Sequence, residues 1–136
     1  MKLSTRVRYG CRAMVTLAAH GNEGPISLET LATEQGIPER YLAKITQDLR
    51  RSGLIRSQRG AHGGYAINGD AADITLLDIW EALEGPVRPV ACLDNEDCRR
   101  EPECVTRDVW ARFQEALQNV LGSANLADLA EKYREQ

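Results

Sequence analysis

The chain has 136 residues, 43% of them hydrophobic, and its 17 basic and 20 acidic side chains give a formal net charge of −3. That length provides one hydrophobic core with an appended element and excludes two full-sized domains. No apolar run approaches the roughly 18 residues that a membrane span needs, and the N-terminus lacks the apolar segment of an export signal, so we expect a cytoplasmic protein without membrane contact.

The charge is distributed unevenly along the chain. Residues 1–64 contain ten lysines and arginines against five acidic residues, a net charge of +5, whereas residues 65–136 contain seven against fifteen, a net charge of −8. Attraction to phosphate depends on the local charge of a docking face, so the first part of the chain favours nucleic acid as a partner. A basic face that is merely solvated is the alternative at this point.

Three helices are predicted in the first part of the chain. Apolar residues recur at steps of three and four in the first twenty residues, and Cys11 lies on that apolar stripe. Ser27 is a good N-cap for a second, short helix that ends at Gly36. Pro38 suits the first turn of a third helix, which runs to Gly53 with one apolar face. The opposite face of this third helix carries Arg40, Lys44, Gln47 and Arg51.

A short helix, a tight turn and a second helix with a basic outer face are typical of a DNA-binding helix-turn-helix. The third helix is about 18–20 Å long at a rise of 1.5 Å per residue, a length that suits the major groove of DNA. We therefore predict that Arg40, Tyr41 and Lys44 contact operator DNA from this helix.

A glycine-rich hairpin follows the predicted recognition helix. Residues 54–58 and 65–67 favour two strands, and the loop between them contains three glycines. Glycines allow a loop backbone to approach a phosphate or the minor groove closely, which makes this hairpin the wing of a winged helix. An ordinary flexible hairpin has the same signature. The predicted DNA contacts of the wing are Arg59, Gly60, His62, Gly63 and Gly64.

Further helices are predicted in the second part of the chain. Thr75 and Asp78 favour a capping box at the start of a fourth helix, which ends at Gly85. Thr106 is expected to cap a long helix whose apolar face is too wide for a helix exposed to solvent, so we expect a second subunit to cover it. A short helix over 123–135 ends the chain. The apolar face comprises Val109, Trp110, Phe113, Ala116, Leu117, Val120 and Leu121.

Three cysteines, Cys92, Cys98 and Cys104, precede the long helix with five residues between each pair. Stable disulfides are uncommon in a reducing compartment and thiolates are soft ligands, so the triplet indicates metal or redox-sensing chemistry. Structural zinc sites usually take their cysteines from tighter pairs, so the spacing fits zinc poorly. An iron-sulfur cluster tolerates a wider loop, although three thiolates leave one ligand to be found.

Together these motifs closely resemble the winged-helix transcription regulators of the IscR and NsrR type, the Rrf2 family, over essentially the whole chain. The resemblance rests on Met-Lys-Leu-Ser at the N-terminus, on residues 49–54 and 59–65, and on the cysteine triplet followed by Trp110. It implies a mainly α fold, a winged helix-turn-helix with a small β-hairpin wing and a long C-terminal dimerisation helix. It also implies a homodimer that binds double-stranded DNA and whose three cysteines hold a 2Fe-2S or 4Fe-4S cluster.

The chain departs from this family pattern at the fourth cluster ligand. IscR-like members use a histidine at the position of Arg107, and NsrR-like members can use a carboxylate at the position of Arg8. Arginine stays protonated and cannot ligate iron. Cys11 from a second subunit, Asp108, a nearby glutamate or an exogenous ligand are the other candidates, and a simply packed thiol is the alternative interpretation of Cys11.

The sequence predicts three parts: a winged-helix DNA-binding domain over 1–85, a cysteine-bearing cluster loop over 86–105, and a dimerisation helix with its tail over 106–136. We predict a transcription regulator whose operator affinity is controlled by the cluster in response to iron-sulfur supply, oxidants or nitric oxide. A cluster-free thiol or zinc switch stays open, and an electron carrier is a more distant alternative. No nucleophile with its base and no phosphate-binding loop occurs, so we do not expect an enzyme.

Overall fold

The computed structural model describes residues 2–93, 98 and 101–136. Within these residues the chain is mostly helical with one two-stranded antiparallel sheet, which confirms the predicted winged-helix class. Short 3-10 turns at Gly21–Glu23, Ala71–Asp73, Ala91–Leu93 and Glu101–Glu103 join the larger elements. The larger elements are α1 (Thr5–Ala19), α2 (Leu28–Gln35), α3 (Glu39–Arg51), β1 (Ile55–Gln58), β2 (Gly64–Ile67), α4 (Leu76–Glu84), α5 (Arg107–Ser123) and α6 (Leu126–Arg134).

Helices α2 and α3 form the predicted helix-turn-helix. The Ser27 hydroxyl caps α2 by accepting a hydrogen bond from the backbone N–H of Thr30 at 3.1 Å. Gly36 ends α2 in the left-handed region, at φ 64° and ψ 36°, which a residue with a Cβ adopts only at a cost. Pro38 stands at the N-cap of α3, so this helix begins at Glu39.

The apolar face of α3 is completely buried. Leu42, Ile45 and Leu49 expose 0%, 1% and 0% of their surface. Burial of one such side chain contributes about 1.5–3 kcal/mol relative to exposure. These three residues therefore fix the rotation of α3 about its axis, and this rotation decides which side chains the helix presents to solvent.

The hairpin of β1 and β2 is tied to the start of the helix-turn-helix. Ile55 pairs with Ile67 and Gln58 with Gly64 in antiparallel register. Ile26 and Tyr65 form an additional bridge, with N–H···O distances of 2.9 and 2.7 Å. The wing and the N-terminus of α2 consequently form one connected backbone unit.

The fourth helix begins as predicted. The Asp78 backbone N–H donates to the Thr75 hydroxyl at 3.2 Å, and the Thr75 N–H donates to the Asp78 carboxylate at 2.9 Å, which confirms the capping box. Thr106 occupies the N-cap position of α5, but its side chain makes no capping hydrogen bond, so the predicted cap is wrong in this respect. Its hydroxyl lies instead against Cys104.

The C-terminal helix α6 returns to pack against α1. It begins at Leu126, later than the predicted residue 123, because α5 continues to Ser123 and the Asn125 side chain accepts the N–H of Asp128 at 2.9 Å. Leu126 is fully buried. The Arg134 guanidinium donates to the carbonyls of Ala18 and Ala19 at 3.1 and 2.9 Å, and so attaches the last turn of α6 to the end of α1.

Helix α5 differs from the other helices because none of its residues is buried. The core is formed by apolar residues of α1, α2, α3, α4 and α6, together with Ile55 of β1 and with Ile37 and Ile74 of the connections. Val109, Trp110, Phe113 and Val120 of α5 expose 44%, 39%, 42% and 67% of their surface. Within the described residues, these apolar side chains of α5 thus remain substantially exposed to solvent. In the part of the chain that the structure describes, no helix has the length and apolarity needed to cross a membrane.

Candidate nucleic-acid interface and cysteine segment

The outer face of α3 presents basic side chains to solvent. Arg40 and Lys44 are exposed, on the side of the helix away from its buried leucines and isoleucine. Tyr41 is half-buried, and its ring meets the ring of Tyr9 of α1 edge-on, with centroids 5.8 Å apart and planes at 82°. Arg40 and Lys44 are therefore accessible for the DNA contacts predicted from the sequence, whereas much of Tyr41 packs α3 against α1.

Two contacts that sequence reasoning missed hold the recognition helix in place. Asp48 pairs with Arg6 of α1 and lies 3.7 Å from Arg51 of its own helix. The Arg50 guanidinium donates to the Ser57 hydroxyl of β1 at 3.3 Å and links α3 to the wing. An acidic residue within an otherwise basic face was the available signal for the first contact; no local pattern indicated the second.

The tip of the wing brings Arg59 and His62 to the surface, where both are exposed. Gly60 has φ 114°, and the N–H of Gly63 donates to its carbonyl at 3.0 Å. A Cβ at Gly63 would lie 2.2 Å from the carbonyl oxygen of Gln58, so this glycine is required by the hairpin itself. The wing glycines thus have a structural cause, and a role in approaching DNA remains a prediction.

The cysteine triplet lies in a loop with single helical turns. Cys92 is on the turn Ala91–Leu93, and Cys104 directly follows the turn Glu101–Glu103. These two residues, Cys98 and Cys11 are free, partly exposed thiols. The acidic residues Asp94, Glu96 and Asp97 lie outside the described residues. Among the side chains that are described, no three His, Cys, Asp or Glu groups converge in a way that could hold a metal ion.

Arg107 connects the two ends of the cysteine segment. Its guanidinium donates to the carbonyl of Cys92 at 2.9 Å, and its backbone N–H is 3.4 Å from the carbonyl oxygen of Cys104. Arg107 is the first residue of α5. The start of α5 is therefore attached to the beginning of the segment that carries the cysteines.

The Cys104 thiol has the environment of a reactive cysteine. Its sulfur lies 3.4 Å from the Thr106 hydroxyl oxygen. Hydrogen bonds from the Thr106 hydroxyl and backbone amide lower the pKa of the Cys104 thiol, and the nearby Arg107 amide and charge act in the same direction. Because the thiolate is both the nucleophile and the metal ligand, Cys104 is suited to either chemistry.

Cys11 is placed differently. Burial raises the pKa of its thiol to about 11, so the neutral thiol predominates near neutral pH. It lines an apolar depression of about 330 Å³ between α1, α4 and the end of α5, together with Val7, Arg8, Trp80 and Leu121. Cys11 and the described cysteines of the triplet do not form one site within a single chain.

The chain is similar to a family of known proteins over almost its whole length. Residues 3–132 match the model of the Rrf2 family, described as an iron-dependent transcriptional regulator. The chain is 43% identical over 130 residues to Protein rrf2 of Nitratidesulfovibrio vulgaris, covering 95% of this chain and 87% of that protein. It is 42% identical over 130 residues to the HTH-type transcriptional regulator CymR of Bacillus subtilis, covering 96% and 90%.

Solved structures of CymR and IscR resemble this chain in their folds. The B. subtilis structure described as CymR, the global cysteine regulator, superimposes with a TM-score of 0.83 and 39% identity, over 97% of this chain and 98% of that one. The structure of T. potens IscR superimposes with a TM-score of 0.82 and 38% identity, over 99% and 90%.

Proposed function

The chain belongs to the Rrf2 family of transcription regulators, and from this premise we propose that an iron-sulfur cluster bound by Cys92, Cys98 and Cys104 controls its affinity for operator DNA. Its relatives are regulators and not enzymes, and it is not an enzyme. The proposal describes a cytoplasmic homodimer that reads double-stranded DNA through α3 and the wing.

The position of the cysteine segment is the observation that carries this proposal. The segment lies between α4 and α5, and Arg107 attaches the first turn of α5 to the carbonyl of Cys92 at 2.9 Å. A change in the segment's conformation is therefore transmitted directly to the start of α5. If α5 forms the dimer contact, the change alters the spacing of two recognition helices, which must reach half-sites about 34 Å apart.

The donor set fits a cluster in part. Three free thiols that are neither buried in the core nor paired in disulfides suit cluster iron, which is held mainly by thiolates. The described cysteines do not already converge, so binding a cluster requires the segment to fold around it. A bound cluster would join the three thiolates, and oxidants could break this link. Gain or loss of the cluster would therefore change how ordered the segment is.

The fourth ligand has to come from elsewhere. Arg107 bonds to the Cys92 carbonyl and cannot ligate iron. Asp108 is exposed and only 3.9 Å from Arg112, an ion pair that solvent weakens, so its carboxylate is accessible. Cys11 from a second subunit and an exogenous ligand are the other candidates.

A second copy of the chain is the proposed cover of the apolar face of α5. The same chain carries both an exposed apolar ridge, with Trp110 and Phe113, and an apolar depression lined by Val7 and Trp80. In a two-fold dimer the ridge of each subunit can enter the depression of the other, so both apolar surfaces are removed from water at once.

The proposal is tested by purifying the protein without oxygen and recording its visible absorption with its iron, sulfide and zinc contents. We expect a brown protein that contains iron and acid-labile sulfide, and a colourless Cys98→Ala variant. Arg59→Ala should retain the colour and bind operator DNA more weakly. A protein that contains no iron, or a Cys98→Ala variant with unchanged colour, would exclude the proposed cluster.

A thiol switch is the second candidate, and the Cys104 environment favours it. The lowered pKa of the Cys104 thiol makes it a better nucleophile near neutral pH. The B. subtilis relative is described as a global cysteine regulator. For this candidate we expect iron-free protein whose operator affinity changes on mild oxidation, and a Cys104→Ala variant that does not respond.

A further inference from the structure

A polar cluster remote from the cysteine segment joins three helices through His20 and Glu34. This residue is the C-cap of α1. Its Nδ1 lies 2.6 Å from the Glu23 carboxylate, and its Nε2 lies 3.0 Å from Oε1 of Glu34 of α2. The same Glu34 oxygen accepts a hydrogen bond from the Tyr133 hydroxyl of α6 at 2.6 Å. One imidazole is thus held between two carboxylates, one of which is shared with the C-terminal helix.

This geometry specifies the protonation state of the imidazole. An ionised carboxylate only accepts hydrogen bonds, and a neutral imidazole carries a single N–H. Both contacts of His20 are hydrogen bonds only when its two nitrogens are protonated. After deprotonation, one ring nitrogen carries a lone pair that points at a lone pair of a carboxylate oxygen. Two acceptors then repel each other, so one of the two contacts becomes unfavourable.

The surrounding groups favour the charged imidazole. The Tyr133 hydroxyl and His20 lower the pKa of Glu34, so that this carboxylate remains ionised. Hydrogen bonds to Glu34 and then Glu23 raise the pKa of His20, and partial burial, which acts in the opposite direction, does not cancel them. His20, Glu23 and Glu34 line a surface depression of about 430 Å³. Arg134 also lines it, and its guanidinium donates hydrogen bonds to the carbonyls of Ala18 and Ala19.

The cluster acts on the end of α2 that leads into the recognition helix. Glu34 and Gln35 form the last turn of α2, directly before Gly36. The Gln35 amide donates to the hydroxyl oxygens of Thr16 at 2.6 Å and Tyr133 at 3.2 Å. Through these contacts α1 and α6 together hold the start of the turn between α2 and α3.

We propose that doubly protonated His20 latches the end of α1 to the end of α2, and that operator affinity therefore decreases as the pH rises. The second half of this statement rests on the proposed DNA-binding function. The unfolded chain has a histidine pKa of about 6.5. Because the folded pKa is higher, the stabilisation by His20 is fully present below about pH 6.5 and is lost as the pH rises through the folded pKa.

The latch itself is tested without DNA by an NMR titration of the imidazole. The chain has only two histidines, so in a His62→Gln variant the one remaining histidine signal belongs to His20. We expect His20 to titrate above the value for an unfolded chain, and Glu34→Gln to lower its midpoint. Glu29→Gln removes an exposed carboxylate of the same helix and should leave the midpoint unchanged. A His20 midpoint at or below about 6.5, or one that Glu34→Gln leaves unchanged, overturns the latch.

Coupling to DNA is tested with the full chain at fixed salt. For each protein, operator affinity is compared between about pH 6 and about pH 8.5. We expect the decrease in affinity to be about fivefold larger for the wild type than for His20→Gln. Tyr133→Phe detaches Glu34 from α6, retains the ring, and should reduce the difference. Equal pH dependence in wild type and His20→Gln overturns the coupling. Absence of any DNA binding by the wild type would instead overturn the proposed function, and the NMR titration would still decide the latch.

Discussion

Replacement of Gly64 by alanine should separate the wing from the helix-turn-helix. Gly64 has φ 152°, and a Cβ there would lie 2.2 Å from the carbonyl oxygen of Ile26 and 2.7 Å from the backbone nitrogen of Ser27. Backbone atoms cannot move aside as a flexible side chain can. The new methyl group must therefore push β2 away from the segment that precedes α2.

The expected cost follows from the interactions that are lost. Displacement of β2 breaks the two backbone hydrogen bonds between Ile26 and Tyr65, at 2.9 and 2.7 Å. Each contributes about 0.5–1.5 kcal/mol, and the unfavourable φ adds about 1–3 kcal/mol. We expect Gly64→Ala to lower the free energy of unfolding by about 2–6 kcal/mol in total.

Two glycines provide matched controls for urea unfolding. Gly69 has φ 89° with open space around it, so Gly69→Ala measures the conformational cost alone, about 1–2 kcal/mol. Gly21 has open space and no left-handed φ, so Gly21→Ala should change the unfolding free energy by less than about 0.5 kcal/mol. A Gly64→Ala variant that is no less stable than Gly69→Ala would refute the reasoning.

Three further predictions concern the site and its supports. Thr106→Ala removes the hydroxyl that lowers the Cys104 thiol pKa, so alkylation by iodoacetamide near neutral pH should become slower; an unchanged rate contradicts this role. Trp110→Ala should weaken self-association at least tenfold, an effect of about 1.4 kcal/mol, as measured by sedimentation equilibrium. The control Val105→Ala alters a 91% exposed residue outside α5 and should leave self-association unchanged. Asp48→Ala should cost about 1 kcal/mol in thermal unfolding because its ion pair with α1 is lost, and an equally stable variant refutes this support.

The elements that the sequence predicted well are those whose signals are local. The caps at Ser27 and Thr75, the left-handed turn at Gly36 and the buried stripe of α3 each depend on residues within one or two turns of helix. Such contacts form wherever the local pattern occurs, because loop closure adds little to their cost. The wing was predictable for the same reason, since its strands adjoin one glycine-rich loop.

The parts that sequence reasoning missed depend on contacts between distant residues. The Thr106 hydroxyl could accept from the amides of α5 or lie against the Cys104 sulfur, and it lies against Cys104. The link from Arg107 to Cys92 and the bond from Tyr133 to Glu34 join residues far apart in the chain. No periodicity or capping pattern encodes such pairs, because they exist only once the helices have packed.

Operator affinity before and after removal of iron is the most direct test of the central claim. It should be measured at fixed salt with protein purified without oxygen, because salt alone changes binding to DNA. We predict that iron removal changes the affinity of the wild type at least about tenfold and leaves that of Cys98→Ala unchanged. Equal affinity of the wild type with and without iron would contradict control by the cysteine segment through a cluster.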